Sequence, residues 1–295
     1  MSVAHGQNLI KHPSFYRTVA VMFFQVESTL FKVDIGSLQE YADAIKEIFS
    51  IPPTGPIDEG TESRPIIIQG ITATQMDAFL TWLWHIEWRP VPPEEDILVA
   101  ILHISHMWLV KSGENYAVHH IKNLGLHPAR MVELGVRYDV AHWIEAAIPM
   151  LLNTPMRQLS DCHMAQLGIK IIGVITKAQE TLEEHRKRLA HYPPPLNNYV
   201  PDCSTHTTCK HVWHDVWWKT IARAILHPKE PCRLNDCLDL IRNTSFSTMK
   251  DMCKAAAIVS IQESGSFAVE GQVTQRAIDS ILEHYGLKKV DTTLA

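Results

Sequence analysis

The spacing of apolar positions divides the chain into a short β-rich opening and a long helical remainder. Val21-Met22-Phe23-Phe24-Gln25-Val26 and Thr29-Leu30-Phe31-Lys32-Val33 are rich in the aromatic and β-branched residues that strands favour. Glu27-Ser28 leaves room for a two-residue turn between them, so the pattern predicts a hairpin. Leu38, Tyr41, Ala42, Ile45, Ile48 and Phe49 then recur at helical spacing until Pro52-Pro53. Pro65-Ile66-Ile67-Ile68-Gln69 is short, branched and bounded by turn residues, which predicts a buried strand. Thr72 with Gln75 has the form of a capping box, and Met76, Phe79, Leu80 and Leu83 supply the apolar stripe behind it. Trp82, Trp84 and Trp88 make that segment unusually aromatic.

Helical periodicity dominates from there on. Acids Glu94-Glu95-Asp96 sit where a helix N-terminus favours them, and the segment that follows, to Trp108, is apolar nearly all round, so it should be buried. Further helices are predicted over Glu114 to Leu124, from Pro128 to Tyr138, and over Val140 to Leu152. Ser160 caps a helix that Gly168 closes, and a long one follows from Ile169 to Leu189. Its end, Glu183-Glu184-His185-Arg186-Lys187-Arg188, reads as a solvated helix terminus with acids before bases. Pro193-Pro194-Pro195 and Asn197-Asn198 mark a linker. Beyond it, stripes around Trp213, Asn235–Ile241, Met249 and Val273 predict further helices, with Gly286 as a stop. No repeat of fixed period is visible.

Composition narrows the classes. With 295 residues, 46% hydrophobic and 20% charged, the chain is long and apolar enough to bury a substantial core. A net charge of −5 speaks against a dedicated nucleic-acid binder, so no nucleic-acid partner is expected. No signal peptide and no membrane-length apolar run are visible, so no membrane partner is expected. Six cysteines without a secretory signal point to reduced thiols and to the cytoplasm, the nucleus or both.

The sharpest candidate chemistry is Cys203-x-x-His206-x-x-Cys209-x-His211-x-x-His214. Sulfur and imidazole at short spacing suit zinc. The spacing lacks a matching second pair, so packed cysteines and surface histidines are the expectation, with no metal or other cofactor. Zinc on Cys203, His206 and Cys209 is the alternative, if the fold brings Cys232, Cys237 or Cys253 near. His103 and His106 are three apart on one helix but have no acid close in sequence, and adjacent His119 and His120 point apart. The sequence contains no H-E-x-x-H, G-x-S-x-G, Walker lysine loop or G-x-G-x-x-G, so no catalytic residue is assigned and an enzyme is not expected. Trp82 with Trp84, and Trp217 with Trp218, cannot all face inward, which leaves exposed aromatics as interface anchors.

Phe24-Gln25-Val26-Glu27 leading into Leu30-Phe31-Lys32-Val33 resembles the opening of a fungal BTB/POZ domain. Ser105-His106-Met107-Trp108, then Leu134 to Val140 with Trp143, then Leu159-Ser160 and Leu167-Gly168, resemble later pieces of that family in order. The resemblance implies an α+β protein, with a BTB/POZ-like small sheet flanked by helices and a mostly α-helical C-terminal region. The implied division is an arm (1–18), the BTB/POZ-like domain (19–125), a helical extension (126–192), a linker (193–202), a helical C-terminal region (203–288) and a tail (289–295). The implied function is a non-enzymatic protein–protein interaction module that self-associates as a homodimer or acts as an adaptor. A cullin-type ubiquitin ligase is a partner the family suggests without support from these residues. The alternative is a zinc-stabilised binding module centred on Cys203 to His214. Asp34 stands where the family often has His, and Ala42 and Ile45 where it often has Ser and Phe. No acid precedes the first strand in Thr18-Val19-Ala20. The charged groove of repressor relatives is therefore not expected.

Overall fold

A computed structural model describes residues 21–36, 38, 46–47, 59–84, 92–196, 200, 203–228 and 230–288. The expected arm (1–18), the tail (289–295), Trp88, Ala42, Ile45 and most of the helix expected over Leu38 to Phe49 lie outside these residues. The chain is mixed α+β and forms two compact units, Met1–Leu126 and His127–Ala295.

The first unit is built on the hairpin. Strands β1 (Val21–Val26) and β2 (Thr29–Asp34) pair antiparallel with Val26 opposite Thr29, as the alternation predicts. Glu27 takes a left-handed φ of 54° in the two-residue turn, a conformation disfavoured for a residue with a Cβ. One contact offsets that cost. A carboxylate oxygen of Glu27 accepts the Ala73 amide at 3.0 Å, at the N-terminus of helix α1 (Ala73–Leu83). A negative charge there meets unpaired N–H groups and the positive end of the helix dipole. The predicted capping box is also present: Gln75 N–H donates to the Thr72 hydroxyl, and the Gln75 side chain accepts from the Thr72 amide.

Strand β3 (Ile66–Ile67) lies parallel to β1 and completes the order β2-β1-β3. It differs from the buried strand expected over 65–69. It has only two residues, and Ile67 is 65% exposed. An edge strand buries one face and turns the other outward, so a branched apolar run overstates burial. Behind the sheet, α1 and α2 (Glu95–Met107) close a core of Phe24, Val26, Val33, Met76, Phe79 and Ile104. Trp108 seals it, edge-on to Phe79 at 5.4 Å. Helix α3 (Lys111–Lys122) returns alongside α2.

In the second unit, α4 (Pro128–Arg137) and α5 (Ala141–Leu152) form a helical hairpin. Its corner copies the one between α2 and α3. Leu109 and Asp139 both take left-handed φ, 56° and 58°. The Val110 amide donates to Ser105 O and the Val140 amide to Gly135 O, both at 2.8 Å. Buried aromatics Trp108 and Tyr138 precede the two corners. The offset between the copies is constant, so a twofold local repeat exists that periodicity does not reveal, because at the corner only Trp108 with Tyr138 and Val110 with Val140 match in type.

Helix α6 (Asp161–His191) is two helices joined at Gly168, whose φ of 70° and ψ of 160° interrupt the spiral where the sequence places a stop. Gln179 on it donates to the carbonyls of Leu151, Leu152 and Thr154, at and just beyond the C-terminus of α5. The first core of this unit gathers Ile144, Ile148, Leu151, Ile171, Ile175 and, from α11 (Val269–Tyr285), Ile278 and Ile281.

The end of α6 belongs to a second core, with α7 (His206–Val216), a π-helical segment (Trp217–Ile221), α8 (Ala222–Ile225), α9 (Leu234–Asn243) and α10 (Asp251–Ser264). Two indoles fasten it: Trp213 donates to Pro194 O at 3.0 Å and Trp217 to Ala190 O at 3.2 Å. The charged end of α6 is only partly solvated. Arg186 is largely buried against Glu270 at 2.6 Å, and the second Glu270 oxygen accepts the Leu234 amide at the start of α9. His185 is buried beside Ser266 O. Sequence separation hides such partners, which sit more than 80 positions downstream. Among the described residues, no helix is long and apolar enough to cross a membrane.

Candidate functional site

The candidate groups singled out by the sequence have different fates. His103 lies against Gly70 O at 3.4 Å. His106 meets Glu114 Oε1 at 3.2 Å, and Lys111 reaches the other Glu114 oxygen at 2.6 Å. The acid missing from the local sequence thus comes from the next helix, and this pair is part of the α2–α3 contact. His119 and His120 sit edge to face, with His120 against Tyr116 at 4.4 Å. The tryptophan pairs split as packing demands: Trp217 is fully buried while Trp218 is 45% exposed, and Trp84 faces out.

The cysteine group converges. Cys203 precedes α7, His206 opens it, and Cys209 follows one turn later on the same face. Helix α10 brings in Cys253 within its first turn. Ligand atoms of Cys203, His206 and Cys253 all lie within 4.8 Å of one another. The Cys203 and Cys209 sulfurs are 3.8 Å apart. Cys209 and Cys253 are fully buried, Cys203 is half-buried, and the His206 Nδ1 atom is buried. His211 and His214 face solvent, away from the cluster.

The thiols are unequal. Burial pushes Cys203 up, but a hydrogen bond from the Thr205 amide and contacts with the Cys253 and Cys209 thiols outweigh it and hold Cys203 below its ordinary value. Burial, with Cys203 and Cys209 as neighbours, pushes the Cys253 thiol up to about 12. Cys232 and Cys237 form a separate pair; burial, Cys232 and the nearby carboxylates of Glu270 and Asp236 push the Cys237 thiol up. Cys162 stands exposed on its own.

Spacing singled out Cys203, His206 and Cys209, whereas the mutually close group is Cys203, His206 and Cys253, with Cys209 beside Cys203. Cys253 was legible only as one of three distant options, because the α10 packing that delivers it depends on Phe246 and Met249 in the shared core. Comparison with protein-family models, with curated proteins and with solved structures returns no match.

Proposed function

We propose that this chain is a non-enzymatic protein–protein interaction module of BTB/POZ type, acting inside the cell through self-association or as an adaptor. The observation that carries the reading is the arrangement of the first unit. A β1–β2 hairpin, a parallel third strand and a capped helix follow one another, with a helical hairpin behind them; the helix the resemblance implies between hairpin and third strand lies mostly outside the described residues. Among the described residues, the β2 strand lies at the sheet edge, and Leu30 is 43% exposed at the hairpin tip. An open edge with an apolar residue beside it is a surface that gains free energy by pairing with another chain.

Light scattering over a range of concentrations tests the reading. The expected result is a mass that rises to that of a dimer by roughly tens of micromolar, and a Leu30→Lys variant that shifts the midpoint to higher concentration. A strict monomer throughout that range excludes self-association and leaves the adaptor form.

A further inference from the structure

We propose that Cys203, His206, Cys209 and Cys253 form a closed, structural zinc site that fastens the start of α7 to α10. The geometry carries this. Zinc holds thiolates at about 2.3 Å, so neighbouring sulfurs of a tetrahedral site stand about 3.8 Å apart. Cys203 and Cys209 sit 3.8 Å apart. Cys203, His206 and Cys253 share one pocket of 4.8 Å. Cys253 touches Cys209 as well as Cys203. Cys209 lies outside that group of three; it stands beside Cys203 and one helical turn from His206 on α7, and supplies the fourth ligand.

Chemistry selects the metal. Two sulfurs and one imidazole within reach of one another, a third sulfur beside Cys203, and no carboxylate in the group suit zinc over magnesium, calcium or manganese. Burial selects the role. With Cys209 and Cys253 fully buried, four protein ligands fill the tetrahedron and leave no position for a substrate. The Thr205 hydroxyl lies 3.9 Å from the Cys203 sulfur, the kind of outer contact that orients a thiolate ligand. On binding, the three thiol protons pass to solvent and the sulfurs bind as thiolates, with no change of oxidation state.

The consequence is a cross-link. The ion ties residue 203 to residue 253 around the core that holds Trp213, Phe246 and Met249. A ligand that binds only the folded chain adds its binding free energy to stability.

The test uses the full chain, expressed with added zinc and purified under reducing conditions without chelator. Elemental analysis is expected to find stoichiometric zinc. Cobalt(II) exchanged into the protein is expected to show the intense visible bands of a tetrahedral thiolate site and sulfur-to-cobalt charge transfer. Chelation is expected to lower the melting temperature by at least about 10 °C. Cys253→Ser and Cys209→Ser should lose the metal, whereas Cys162→Ser should keep it. His206→Cys should also keep it, with the cobalt bands shifted towards those of a four-sulfur site; this variant and the wild-type cobalt spectrum remain decisive if the serine variants do not fold. Wild-type protein that takes up neither zinc nor cobalt overturns the proposal. So does unchanged metal content and cobalt spectrum in Cys253→Ser, or a disulfide within the group in protein kept under reductant.

Discussion

Leu109 holds a leucine side chain at a backbone φ of 56°, where L-residues crowd the following carbonyl. Its counterpart Asp139 has a short polar side chain that tolerates this region better. Leu109 is 48% exposed, so its side chain offsets little of the strain by burial. Leu109→Gly is therefore expected to raise stability by about 1 kcal/mol; chemical denaturation of both proteins measures it, and a loss of stability would sink the strain argument. At this scale the sequence was partly readable. Thr72 and Gln75 announced their capping box because both partners lie within one turn. Glu27 did not announce that it reaches Ala73, and Cys253 did not announce Cys203, because those contacts depend on how elements meet.

Two histidines join two helix starts. His127 precedes α4 and its Nδ1 accepts the Ala129 amide at 3.2 Å. His163 lies in the first turn of α6, where its Nδ1 accepts the Ser160 amide in a capping box. Their rings stack at 3.6 Å, only 4° from parallel. Burial, and then the charge of His163, hold His127 below the ordinary histidine range. The folded state thus disfavours the protonated ring, and the unfolded chain binds the proton more readily. The contribution to stability is complete above the unfolded value of about 6.5 and is lost as pH falls through the lower folded value. Melting temperature is expected to drop between about pH 7.5 and pH 5, more steeply in the wild type than in His127→Asn, which keeps a capping oxygen but does not titrate. Equal slopes would remove His127 from the account. Sequence alone placed Ser160 as a cap and Pro128 at a first turn, since both rules are local. The stacking of 127 on 163 follows from α4 packing against α6, which no local pattern encodes.

At the scale of the molecule, α6 explains why the second unit holds together. Its first part contributes Ile171 and Ile175 to one core, and its last turn contributes Leu189 and Ala190 to the next. Helix α11 packs on the former, while the Arg186–Glu270 pair and the Trp217 indole tie the latter to it. Residues 127–288 expressed alone are therefore expected to unfold in one cooperative step, with near-ultraviolet circular dichroism from buried Trp143, Trp213 and Trp217. A gradual, signal-free melt would show that this unit depends on residues before it. The number and order of helices were legible from their stripes. Their grouping was not: proline and asparagine at 193–198 read as a linker, yet Leu196 lies in the core and Pro194 receives the Trp213 indole. Composition reports chain stiffness and polarity, not what a nearby tryptophan reaches.

The recurring corner also constrains how this chain can vary. Where α2 and α3 cross, Gly113 leaves no space for a Cβ beside Ser105 and Trp82. Where α4 and α5 cross, the bare position has moved to the other helix: Gly135 faces Ile144 and Trp143. Each crossing has room for bulk on one side only. Positions 105 and 113 are coupled in size, as are 135 and 144, so substitutions that succeed should exchange size within a pair while leaving the joint itself unchanged.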